Sequence, residues 1–264
     1  DDYNAAPQVT LDITVAKADQ VITDFIATPA NGDVGDMPVL SATGGASGNP
    51  VTFGSNTLSV CTVSGNTVTL LTSGTCTVTA DQAGNDDYNA ATQVTLDIGV
   101  AKADQTISGL AADPAAGVVE GSSSLSATAS SGLTVAFGSS TPGVCTVAGS
   151  TVSYLAAGTC TVTADQAGDD DYNAAPQVTL DITVAKADQV ITSFTASPAF
   201  GYIGSTSFLS ADASSGLTTT FASTTPGVCT VSGSIVSFIA EGTCTVTADQ
   251  AGDANFSAAP QVTL

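Results

Sequence analysis

Gly74-Thr75-Cys76-Thr77-Val78-Thr79-Ala80-Asp81-Gln82-Ala83-Gly84 decides how this chain is read, because it is written three times, again at 158–168 and at 242–252. Each copy runs into an aspartate-rich turn, such as Asn85-Asp86-Asp87-Tyr88, and then into a run of alternating character. The turns begin at Asp1, Asp86 and Asp170 and, in degraded form, at Ala254. A fixed period of about 84 residues means one structural unit repeated, so the 264 residues are divided before any local reading is attempted.

The stretch itself alternates. Cys76, Val78 and Ala80 fall on one face and Thr75, Thr77 and Thr79 on the other, the period-2 signature of a strand with one side buried. Working outward, strand signals in the first unit fall at 21–27, 39–43, 51–53, 60–63, 67–71, 76–81 and 93–100. Turn signals rich in Gly, Pro, Ser and Asn separate them at 29–35, 44–50, 64–66 and 72–74. Seven short strands with no helical period predict an all-β fold, a two-sheet sandwich of immunoglobulin-like type for each unit.

Comparing the copies with one another marks the core. Ile22, Ile107 and Ile191 coincide, as do Leu40, Leu125 and Leu209, and Phe53, Phe137 and Phe221. Leu70, Tyr154 and Phe238 exchange volume at one inward position, and Val78, Val162 and Val246 follow the second cysteine of each unit. The copies diverge at 31–37, 116–122 and 201–207, so loops drift while core and junctions stay alike.

Six cysteines fall as Cys61/Cys76, Cys145/Cys160 and Cys229/Cys244, always fifteen apart. Six cysteines allow 15 pairings, and one pair per unit makes pairing within each unit the simplest. A bridge closing about 15 residues contributes roughly 3 kcal/mol, which matters for a domain of this size with Ala- and Val-dominated cores. Regular disulfides imply an oxidising compartment, hence an extracellular or cell-surface location. With the cysteines so close in sequence, the bridge is expected to tie neighbouring parts of the sandwich and not to pin its centre.

The run "SSTPGVCTVAGSTVSYLAAGTCTVTADQAGDDDYNAA", leading into Val-Ala-Lys-Ala-Asp-Gln, resembles the tandem bacterial Ig-like repeats of large extracellular adhesin and surface-fibre proteins. The resemblance covers essentially the whole chain. It implies tandem sandwiches serving as stalks, spacers or adhesive arrays. The core Trp and wide cysteine spacing of antibody domains are absent.

The charge of −21, from 24 acidic residues against Lys17, Lys102 and Lys186, argues against nucleic acid and anionic membranes as partners. There is no run of 18 apolar residues. Histidine and arginine are absent, as are a Gly-x-Ser-x-Gly elbow and a phosphate loop, so the chain is expected not to be an enzyme. One constellation invites chemistry. Asp165, Asp169, Asp170 and Asp171, with Asp81, Asp86 and Asp87 at the equivalent places, would offer calcium the oxygen ligands it needs. The competing reading is a turn whose Asp and Asn side chains bond their own backbone. No other cofactor is expected. Tyr3, Tyr88, Tyr172 and Phe256 recur inside that turn and read as plugs for the end of the sandwich, with sugar stacking as the alternative.

The three lysines all sit in the junction, where each is expected to cover apolar surface or to pair with a nearby aspartate. The boundaries follow: 1–16 as the last strand of a preceding domain, then units at 17–101, 102–185 and 186–264, the last lacking the end of its final strand. With two or three residues between strands, the units are expected to stack as a rod of roughly 110–130 Å. The expected function is a structural, non-catalytic segment of a long bacterial surface fibre or adhesin stalk, partnered by neighbouring repeats or identical chains. Two alternatives stand beside it: a surface- or glycan-binding module using the variable loops, and a filament subunit assembled by donor-strand exchange, since Asp12–Val15 carries the Asp-Ile-Thr-Val that would follow Leu264.

Overall fold

In the first repeat the alternating segments become eight strands: β1 (Thr23–Thr28), β2 (Asn31–Asp33), β3 (Val39–Thr43), β4 (Val51–Ser55), β5 (Cys61–Ser64), β6 (Thr67–Leu70), β7 (Gly74–Gln82) and β8 (Val94–Ala101). The computed structural model describes Asp2 and residues 4–264; the readings placed on Asp1 and Tyr3 lie outside the described residues. No helix occurs among the described residues, and so none is long and apolar enough to cross a membrane.

The strands form two four-stranded sheets, β1-β3-β6-β5 and β2-β8-β7-β4. Pairing is antiparallel except for β2 on β8, where Asn31 faces Gly99 and Asp33 faces Ala101. Apolar faces of both sheets meet in one core of Leu40, Val68, Leu70, Val78, Ile98 and Val100. Strand β2 corrects the sequence reading, which took 29–35 for a turn. Its residues, Asn-Gly-Asp, are poor strand formers, and they are held there by the β8 ladder and by the Asn31 side chain, whose Oδ1 accepts from Gly99 N at 2.9 Å.

The chain divides into two compact units, 1–105 with 167–174, and 106–166 with 175–264. The first holds the sandwich just described. The second holds two more. One pairs sheets Ile107–Asp113/Ser122–Ala129/Thr151–Tyr154/Cys145–Ala148 and Gly117–Val118/Val178–Ala185/Gly158–Asp165/Ala136–Ser139 in the same strand order. The other repeats the first sheet with Ile191–Ser197, Thr206–Ala213, Ile235–Phe238 and Cys229–Ser232. Its second sheet keeps three strands, Thr220–Ser223, Val246–Asp249 and a two-residue Val262–Thr263. This order makes each an immunoglobulin-like β-sandwich.

Cys61 bonds to Cys76, Cys145 to Cys160 and Cys229 to Cys244. The placement of the bridge corrects the expectation that it ties only neighbouring parts. Cys61 lies on β5 and Cys76 on β7, in opposite sheets, and both are wholly buried. The fifteen-residue separation encloses β6, which turns back along β5 before the chain crosses to the other sheet. The bridge therefore pins sheet to sheet through the core.

Residues 4–16, which the sequence reading places in the last strand of a preceding domain, enter no ladder. Val9, Leu11, Ile13 and Val15 are 79–92% exposed. Alternation supplies a face to bury; a strand also needs an edge to pair with.

Candidate functional site

The acidic turn and the Lys-Ala-Asp-Gln junction come together in each of the three repeats. Ala18 forms a parallel bridge with Tyr88, Ala103 with Tyr172, and Ala187 with Phe256. These three rings are half-buried. The turn is thus stitched to the first residues of its own repeat, about 70 residues earlier.

A buried glutamine completes the stitch. Gln20 is 7% exposed; its Nε2 donates to Asn89 O at 2.8 Å and Ala83 O at 3.2 Å, and its Oε1 accepts from Ser47 N at 2.9 Å. Gln189 is 2% exposed and donates to Ser257 O and Gln250 Oε1, each at 2.6 Å. A buried amide is tolerated because its donors and acceptor are satisfied. Sequence reasoning passed over these glutamines because an isolated Gln beside Lys and Asp reads as solvated linker.

The lysines have a different partner from the one expected. Lys17 Nζ donates to Asn85 O at 2.7 Å and Lys102 Nζ to Asp169 O at 2.5 Å, and Lys186 Nζ donates to Asp253 O. Each clasps the main chain of the turn instead of a carboxylate, because the turn presents its carbonyls toward the junction.

The carboxylates are also committed. Asp169 Oδ1 accepts from the backbone N–H of Asp171 and Tyr172, both at 2.9 Å, the self-bonded turn typical of Asp. Asp81 holds Gln93 Nε2 at 2.9 and 3.0 Å, and Asp165 holds Gln177 Nε2 at 2.7 Å. Asp86, Asp87 and Asp170 are exposed. Among the described residues no three His, Cys, Asp or Glu side chains converge, so Asp165, Asp169, Asp170 and Asp171, and likewise Asp81, Asp86 and Asp87, are not gathered into one group of carboxylates. Closeness in sequence does not bring them together, since local hydrogen bonding aims each carboxylate at its own backbone or at a glutamine.

Asp171 does something else. Its Oδ1 accepts from Ser73 N at 2.8 Å, and Asp170 O accepts from Ser73 Oγ at 2.6 Å. Ser73 lies in the turn between β6 and β7 of the first sandwich. In the other compact unit, Ala157 N donates to Asn255 Oδ1 at 3.1 Å. Ser73 and Ala157 are equivalent, as are Asp171 and Asn255, each pair 84 apart. One latch is therefore built twice from the same positions: a turn amide of one repeat on an Asp or Asn oxygen of the next.

A second surface is peculiar to the third repeat. Phe200 and Tyr202 pack edge to face at 6.4 Å and are 71% and 77% exposed, with Ile203 at 68%. The sequence does not single out this pair, because one Phe and one Tyr two residues apart carry no periodic signal.

No family model matches the chain, and no curated protein does. Among solved structures, a fragment of surface layer protein SbsC spanning domains 1–6 is similar at 17% identity over 95% of this chain and 38% of that one, with a TM-score of 0.31. This chain thus spans about two-fifths of the SbsC fragment. A C-terminal 282-residue fragment of intimin, solved with the intimin-binding domain of the translocated intimin receptor, is similar at 18% identity over 69% of this chain and 68% of that one, TM-score 0.26. FdeC, an Escherichia coli adhesin, is similar at 14% identity over 97% and 99%, TM-score 0.26. These likenesses concern fold alone. The class is defined by the strand order and the inter-sheet disulfide: tandem immunoglobulin-like sandwiches.

Proposed function

We propose that this chain is a structural, non-catalytic segment of a long extracellular bacterial fibre or adhesin stalk, with domains at 17–101, 102–185 and 186–264. The observation that carries this reading is the latch repeated at Ser73–Asp171 and Ala157–Asn255. A protein that needs only a folded domain has no use for the same contact between successive domains. One that transmits load does. The buried inter-sheet disulfides support the reading, since they limit how far each domain extends when pulled and suit an oxidising exterior.

Force spectroscopy on the single chain tests it. Oxidised domains should unfold in separate events, and reduction should lengthen each by about 5 nm, the 15 bridged residues at about 3.6 Å each. A chain that extends without resolved resistance would remove the mechanical reading.

The exposed Phe200–Tyr202 pair supports a second reading, an adhesive surface in which aromatic rings stack on sugars of a host or matrix glycan. Glycan-array binding that Phe200→Ala with Tyr202→Ala abolishes would favour it, and silence of the parent chain on the array would dismiss it.

A further inference from the structure

The acidic turn differs between repeats at three alternating positions. The first repeat carries Asn85, Asp87 and Asn89, the second Asp169, Asp171 and Asn173, and the third Asp253, Asn255 and Ser257, each 84 residues on. Asn255 thus stands where the others have Asp, and Ser257 where they have Asn. Together the two exchanges write Asn-Phe-Ser, the acceptor signal for an asparagine-linked glycan. No other asparagine in the sequence has Ser or Thr two residues on. Asp253 adds the acidic residue, two before the asparagine, that bacterial oligosaccharyltransferases also require.

The fold gives no reason for the serine. Asn89 Nδ2 donates to Asp19 Oδ1 and Asn173 Nδ2 to Asp104 Oδ1, both at 2.8 Å. Ser257 forgoes that bond to the equivalent Asp188, and its hydroxyl makes no hydrogen bond among the described residues. Asn255 keeps the latch, its Oδ1 accepting from Ala157 N at 3.1 Å. Its Nδ2 donates to nothing among the described residues. No buried side-chain nitrogen among them lacks a partner, so this one is open to solvent. Asp253 is exposed, and its Oδ1 holds the turn by accepting from Asn255 N at 2.7 Å and Phe256 N at 2.8 Å.

We infer that Asn255 Nδ2 is the attachment site of an asparagine-linked glycan, transferred from a lipid-pyrophosphate-linked oligosaccharide by an oligosaccharyltransferase. In the transfer Nδ2 bonds to the anomeric carbon of the first sugar. The bond from that carbon to the pyrophosphate oxygen breaks, the lipid pyrophosphate leaves with the electron pair, and one Nδ2 proton passes to a base of the transferase. Oδ1 and the second Nδ2 proton remain, so the product keeps the acceptor that the latch uses.

In the folded repeat the acceptor segment is pinned, since Ala187 N donates to Asn255 O and Ala187 O accepts from Ser257 N, each at 2.9 Å. A transferase needs the segment free, which places the reaction during export, before the turn closes on Ala187. The folded domain then carries the glycan on the nitrogen that faces solvent. A bulky, hydrated group at this place shields the latch and leaves its hydrogen bond intact.

Export of the full chain to the periplasm of a bacterium supplied with a bacterial oligosaccharyltransferase and its lipid-linked oligosaccharide tests this. Intact mass and the mass of the peptide holding Asn255 are the readouts. One glycan increment is expected, on that peptide. Asn255→Asp, Ser257→Asn and Asp253→Asn should each lose it. Every one of these installs a residue that another repeat carries at the same place, and Asn85 Oδ1 accepts from Asp87 N and Tyr88 N at 2.9 Å as Asp253 does, so folding is preserved. In the modified chain the Ala157 amide should keep its hydrogen-exchange protection. A parent chain of unmodified mass, a glycan that survives any of the three substitutions, or faster Ala157 exchange on attachment would each overturn the inference. The inference rests on the bacterial, exported origin proposed above. The force curve is recorded on the unmodified chain, so the stalk reading fails or stands separately.

Discussion

Ser73 and Asp171 stand 98 residues apart in the chain and 2.8 Å apart in space, a backbone amide on a carboxylate oxygen. The equivalent pair, Ala157 and Asn255, shows what the position requires, since a neutral amide oxygen serves as well as a charged one. The latch is a geometric contact whose side chain need only present an acceptor at the right height above the turn.

Asp171→Ala should therefore free the Ser73 amide and raise its hydrogen-exchange rate by about tenfold, the worth of one charge-assisted bond. Asp171→Asn should leave it protected. The melting temperature should hardly move in either, since no core residue is touched. Loss of global stability in Asp171→Ala, with Ser73 still protected, would contradict the assignment.

A core position makes a sharper demand. A Cβ placed on Gly117 would lie 2.6 Å from the Tyr154 ring, and one on Gly201 2.1 Å from the Phe238 ring. The first repeat carries Leu70 at this position, where a Cβ on Gly32 would come within 3.0 Å of Leu70 Cδ1. Gly117→Ala should cost about 1–3 kcal/mol by overpacking, and Tyr154→Leu should relieve most of it. Denaturant midpoints of the single and double variants measure the coupling. Additive effects would show that ring and glycine do not compete.

How much of this was legible in the sequence can be judged residue by residue. Val78 and Leu40 announced themselves by alternation and by recurrence in three copies, and Leu70 by an apolar residue of changing volume at the same place, and all three lie at 1% exposure or less. The strands followed because each needs only a local pattern. Strand β2 was hidden because Asn31-Gly32-Asp33 has turn composition and is a strand only by virtue of β8 beside it. The direction of the disulfide was hidden because separation along the chain does not say which sheet the chain crosses to. The buried role of Gln20, and the partner of Asp171, depend on backbone groups contributed from 63 and 98 residues away, and no window of sequence contains them.

The disulfides should differ in access. Cys61, Cys76, Cys145 and Cys160 are completely buried, whereas Cys244 is half-exposed. Under native conditions a hydrophilic reductant should open Cys229–Cys244 first, with the other two following only as their domains unfold. Alkylation and peptide mass measurement at timed intervals would order them. Replacing Cys61 and Cys76 together by alanine should lower the stability of the first sandwich by roughly 3 kcal/mol, the loop-closure contribution of a bridge this short.

The charge of −21 invites a comparison of calcium with ordinary salt. Self-repulsion among exposed carboxylates opposes the compact state, and screening relieves it because the Debye length falls to about 10 Å at 0.1 M. Raising sodium chloride should therefore raise the melting temperature by a few degrees. Calcium at matched ionic strength should add little. Asp169 is engaged by its own turn, Asp81 and Asp165 by glutamines, and no three such carboxylates converge among the described residues. A saturable rise at about millimolar calcium, absent with sodium and lost in Asp169→Asn, would mean that the turn rearranges to gather ligands. The self-bonded geometry at Asp169 would then describe only the metal-free form.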